Sequence, residues 1–90
     1  MEGETLSTGS YTSSKLKIYP NPVSDIVTVE HTKPIQQLKL INSIGQVVLS
    51  KSFPDDVTSA KIDVSNAQLG HYILVISTTD YVYYQKLIIN

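Results

Sequence analysis

Residues 69–76, Leu69-Gly70-His71-Tyr72-Ile73-Leu74-Val75-Ile76, leave this chain the fewest ways to fold. Residues 72–76 are apolar without a polar interruption, which reads as a strand buried on both faces. The preceding Gly70 can take the positive φ that a sharp entry requires. The segment is the expected centre of the core. Tyr72, two residues beyond a corner glycine, fits a tyrosine corner, where the phenol oxygen bonds to backbone a few residues upstream in Greek-key sandwiches. It fits equally a core tyrosine whose tip reaches solvent. Both roles are structural.

A chain of 90 residues has room for one small domain, which must bury its core efficiently to be stable. Without cysteine, neither disulfides nor a thiolate metal site can supplement that core. Seven lysines, no arginine and eight acids give a net charge of -1, and neither sign forms a run that would grip phosphate backbones or acidic lipids. Nucleic acid is therefore not an expected partner. Met1-Glu2-Gly3-Glu4-Thr5 is not the start of a secretory signal. No apolar run approaches the roughly 18 residues of a membrane span. The chain reads as a fragment from the end of a longer protein.

Residues 1–14 are rich in Ser, Thr, Gly and Glu, with Leu6 and Tyr11 as large apolar groups, too few to offset the entropy of ordering them. They are expected to form a linker, followed by one domain over residues 15–90. Leu16 and Ile18 alternate with Lys15, Lys17 and Tyr19 as in a half-buried strand. Pro20-Asn21-Pro22 stops it as a rigid elbow, because two prolines remove two backbone donors. The β-branched residues of 26–31 predict a second strand, and Lys33-Pro34 a turn. Residues 35–41 form the third, and Asn42-Ser43-Ile44-Gly45 turns the chain into a fourth ending at Phe53, with Gly45 at the left-handed position.

Lys61-Ile62-Asp63-Val64 predicts a fifth strand, and residues 65–70 one helical turn capped by Ser65. The central strand follows, then a turn at Thr78-Thr79-Asp80 and a last strand over 81–89. Seven short strands at a spacing of about ten residues predict an all-β fold: a seven-stranded antiparallel β-sandwich, immunoglobulin-like, with Greek-key connections.

Catalytic chemistry has little to work with here. His31 and His71 fall in different strands without an acid at metal-like spacing, and no serine sits in the glycine-flanked elbow of a nucleophile. Asp55 and Asp56 with Asp80 offer oxygens for calcium, but not the dense Asp/Asn/Gly spacing of a dedicated loop, so a solvated turn is the better reading. Tyr81, Tyr83 and Tyr84 offer a sugar-stacking or partner surface. Their ordinary explanation is the alternation of core and surface in the last strand.

Three separated segments then carry a family resemblance. Tyr19-Pro20-Asn21-Pro22-Val23 with Asp25, residues 40–48 around Ile44-Gly45-Gln46, and residues 69–75 with the closing Gln85-Lys86-Leu87-Ile88-Ile89 together resemble the type A C-terminal sorting domain of the bacterial type IX secretion system. The resemblance runs from about residue 15 to the last.

It implies a seven-stranded sandwich acting as a non-catalytic signal at the end of a cargo protein. The cargo would reach the periplasm on its own signal peptide. The outer-membrane machinery would recognise the folded domain, and a sortase-like peptidase would remove it, leaving the cargo at the cell surface or secreted. No cofactor or metal is implied. Carried over by position, Gly70 and Tyr72 match the family's glycine-tyrosine motif, and Lys86, Leu87, Ile88 and Ile89 its terminal export motif. Pro20, Asn21, Pro22 and Gly45 match positions that shape the domain. The alternative is a cell-surface adhesion or carbohydrate-binding module of the same fold, using the three C-terminal tyrosines.

Overall fold

Strands that alternate apolar and polar residues must lay their apolar faces against a second layer, and here the two layers come from one short chain. The structure is a computed structural model describing residues 16–90, so the expected linker lies outside the described residues. Seven strands follow in order: β1 (Leu16–Tyr19), β2 (Ile26–His31), β3 (Ile35–Ile41), β4 (Val47–Ser52), β5 (Ser59–Asp63), β6 (Gly70–Thr78) and β7 (Val82–Ile89). They make a three-stranded sheet of order β1-β2-β5 and a four-stranded sheet of order β4-β3-β6-β7. Every strand pair is antiparallel, and the described residues contain no helix. The expected seven-stranded antiparallel sandwich is what forms.

Asn42 determines where β4 goes. Its Oδ1 accepts from the N–H groups of Ile44 (3.1 Å) and Gln46 (2.9 Å). Its own N–H donates to the Gln46 carbonyl (2.9 Å). Gly45 completes the turn at φ +89°, a conformation that costs a residue with a Cβ. So tight a hairpin forces β4 to pair with β3. In the constant-type immunoglobulin order the fourth strand would instead join the sheet of the first two. As an edge strand, β4 places Lys51 opposite Leu38 on the inward side, with its Nζ 5.7 Å from the centre of the Phe53 ring. An inward-facing charge of this kind discourages pairing with a foreign strand.

The core lies between the sheets. Val27, Val29 and Ile62 of one sheet meet Leu38, Leu40, Leu74, Ile76 and Leu87 of the other, each at most 2% exposed. Burying each such side chain contributes about 1.5–3 kcal/mol. His31 is buried on the same side of β2. Its Nδ1 accepts from the Lys33 N–H (2.8 Å), which leaves the ring proton on Nε2 to donate to Tyr83 Oη (3.1 Å).

Two expectations need correction. In place of the helical turn expected over residues 65–70, a non-helical turn leads into β6 at Gly70, and Ser65 donates through both its N–H (2.9 Å) and its Oγ (2.6 Å) to Asp63 Oδ1. Local bonding to a carboxylate two residues back competes with helix formation. Leu69, 76% exposed, gives a helix no face to bury. In β6, Tyr72, Leu74 and Ile76 enter the core, whereas Val75 lies outside it although only 8% exposed. Among the described residues its neighbours on β3 and β7 flank it, and no third layer lies over it.

Candidate functional site

The elbow and the terminal strand, 65 residues apart in the chain, form a single structure. Prolines cannot donate to a sheet ladder, and between two of them Asn21 supplies its side chain instead. Asn21 Nδ2 donates to the Lys86 carbonyl (2.9 Å), and Asn21 Oδ1 accepts from the Ile88 N–H (3.1 Å). Val23 then continues as backbone: its N–H donates to the Ile88 carbonyl (2.8 Å), and its carbonyl accepts from the Asn90 N–H (2.9 Å). The carboxamide thus imitates one residue of an added strand, and Val23 forms the parallel bridge to Ile89 that follows it. Val23 itself is 1% exposed, so the elbow is anchored in the core. On its other side Tyr19 Oη donates to Glu30 Oε2 (2.9 Å). This bond to a carboxylate holds the Tyr19 phenol above its ordinary pKa.

The inner edge of the same terminal segment pairs with the start of β6. Gly70 stands opposite Ile89, Tyr72 opposite Leu87 and Ile73 opposite Lys86. Gly70 enters the strand at φ +147°, and Tyr72 Oη donates to the Gln68 carbonyl (2.5 Å). The tyrosine corner therefore forms, and the three separated sequence segments include two that meet along one strand. Gly45 belongs to the third. Its turn borders an open groove of about 540 Å³, whose other side is the loop from Asp63 to Leu69 and the first residues of β6. Ile44 and Leu69, both 76% exposed, stand on opposite sides of it.

Alternation sorts the candidate recognition residues by accessibility. Leu87, Ile89 and Tyr72 point into the core. Lys86 is exposed and Ile88 half-buried, on the outward face. Among the described residues no three His, Asp or Glu side chains converge to hold a metal. Asp56 sits in its turn at φ +69°, and Asp80 lies 4.0 Å from Lys33 Nζ. The tyrosines do not make one platform, since Tyr83 packs on the core and against His31 while Tyr81 and Tyr84 are 67% exposed. No helix among the described residues is long and apolar enough to cross a membrane.

Sequence reasoning identified the elbow as a stop signal but missed the amide that reaches β7. The one available signal was an Asn flanked by residues that cannot donate. Residues 17–90 match the family described as secretion system C-terminal sorting domain. The chain is also similar to beta-agarase D of Zobellia galactanivorans, 34% identical over 79 residues, covering 87% of this chain and 16% of that relative.

Proposed function

This chain belongs to the family of secretion system C-terminal sorting domains, the C-terminal signals of type IX secretion, and we propose that its folded terminal corner is the part the export machinery reads. The observation that carries this reading is the Asn21 bridge to Lys86 and Ile88. A signal at a chain end must keep a defined shape on unrelated cargoes, and chain ends ordinarily fray unless tied down. Here the elbow ties the end from outside, and Gly70 and Tyr72 tie it from inside.

In this reading Lys86 and Ile88 present their side chains to the outer-membrane machinery. Tyr72, Leu87 and Ile89 act indirectly, by holding β7 in register, and Pro20, Asn21, Pro22 and Gly45 maintain the shape. A cargo domain precedes the chain and passes through the periplasm before reaching the cell surface or the medium. A sortase-like peptidase cuts within residues 1–14, a stretch rich in Ser, Thr and Gly. The domain has no catalytic activity of its own.

The test is a fusion of residues 1–90 behind a periplasm-directed fluorescent reporter, in a bacterium with the pathway and in a pathway-deficient strain. Pathway-dependent fluorescence on the surface or in the medium is the expected result, and the size of the exported reporter locates the cut. Reporter retained in the periplasm of both strains would overturn the reading.

A further inference from the structure

The two sheets turn very different faces to solvent. On the three-stranded sheet Tyr19 and Ile26 are exposed too (45% and 47%), but the outward cross-strand neighbours mix the two signs: Lys17 beside Glu30, Tyr19 and Lys61 on either side of Thr28, and Ile26 beside Asp63. That is an ordinary solvated face. On the four-stranded sheet, Lys39, Val75 and Tyr84 form one outward row, and Ile41, Ile73 and Lys86 the next. Val75 is 8% exposed yet outside the cluster packed between the sheets, and Ile41, Ile73 and Ile88 around it are half-buried. Tyr84 extends this apolar centre into solvent.

Charge separates the faces further. The chain has eight acids against seven lysines, yet β3, β4, β6 and β7 contain neither Asp nor Glu. The outward charges around the apolar centre are Lys39 and Lys86, both cationic. We infer that this face docks a protein of the export machinery through a patch with an apolar centre and an acidic rim. The inference rests on the sorting function proposed above and names the surface that performs it.

Other occupants fit less well. A second copy docking face to face would bring lysines to lysines with no acid to meet them, and like-charge contacts oppose association. An anionic lipid surface calls for about four to eight clustered cations, where this face has Lys39 and Lys86. A glycan would stack on several rings, and Tyr84 is the aromatic side chain in these rows. An apolar centre with a charged rim of one sign is how protein interfaces divide affinity from selectivity.

The reporter fusion tests this when the domain carries Lys39→Glu with Lys86→Glu, or separately Tyr84→Glu. Lys17→Glu with Lys61→Glu on the opposite sheet is a control of identical net charge. Thermal unfolding of each purified 90-residue chain checks that the fold persists. Both four-stranded-face variants should lower exported reporter about tenfold or more, while the control stays within about twofold of the parent. If the double reversal unfolds the chain, Tyr84→Glu decides, since an exposed site changes stability little. Export of folded face variants at the parent's level would overturn the inference, and with it the outward role of Lys86, and leave the sorting function itself standing. Failure of the unaltered chain to be exported would instead remove the sorting reading.

Discussion

β7 is one edge strand with two kinds of edge. Toward its end, the outward backbone groups of Ile88 and the carbonyl of Lys86 are bonded by Asn21 and Val23. By the alternation of an antiparallel ladder, Val82 and Tyr84 turn their N–H and carbonyl groups to the same side, where no described strand pairs with them. The difference shows how a short sandwich can end on an edge strand without fraying. It closes the edge where the chain stops and leaves it open where a turn already holds it, as Thr78 does by bonding the backbone of Tyr81.

The largest contrast between the halves lies in their side chains. Leu87→Ala removes a fully buried residue and should cost about 2–5 kcal/mol, whereas Tyr84→Ala should stay within about 0.5 kcal/mol. Chemical denaturation of both variants checks this, and equal losses would break the distinction. Next comes Asn21→Ala, which removes the bonds to the Ile88 N–H and to the Lys86 carbonyl, the latter still accepting from Gln85 Nε2 (3.1 Å), and should cost about 1–3 kcal/mol for the two bonds together. For a domain of this size that lowers the melting temperature by about 4–8 °C per kcal/mol. An unchanged melting temperature would mean that the elbow merely lies near β7.

Tyr72→Phe keeps the ring in the core and deletes only the bond to the Gln68 carbonyl, so about 0.5–1.5 kcal/mol should be lost. The smallest effect is expected in the loop between β5 and β6. Bonds from the Ser65 side chain, then from its backbone, hold the Asp63 carboxyl below its ordinary pKa. A carboxyl whose folded pKa lies below its unfolded value adds stability that is present above the unfolded value and lost as pH falls through the folded one. In Ser65→Ala the Asp63 pKa should therefore rise toward the ordinary value, as read by carboxyl NMR titration, while the terminal strand is untouched.

Much of this was legible in the sequence because strands announce themselves in steps of two. Leu16 and Ile18, the 72–76 run and the Asn42–Gly45 turn carry the seven strands, and Gly70 with Tyr72 carries the corner. The sandwich leaves less legible what depends on which strands become neighbours. Val75 and Ile73 read as core because the run is uninterrupted, and only the order β4-β3-β6-β7 shows that their side meets no second layer among the described residues. Lys39 and Lys86 become companions only through the pairing of β3 and β7 with β6. Asp63 captured Ser65 through a side-chain bond that propensity for a helical turn does not weigh. Asn21 was visible as a turn residue, but its partners 65 and 67 residues away are a property of the fold.

Residue-resolved amide hydrogen exchange along β7 is the most direct test that the elbow and the terminal strand form one structure. The Ile88 and Asn90 amides should exchange much more slowly than the outward Tyr84 amide, and Asn21→Ala should bring Ile88 toward the Tyr84 rate. If Ile88 and Asn90 exchange as fast as Tyr84 in the parent chain, the elbow does not hold the terminus and the account of this corner is wrong.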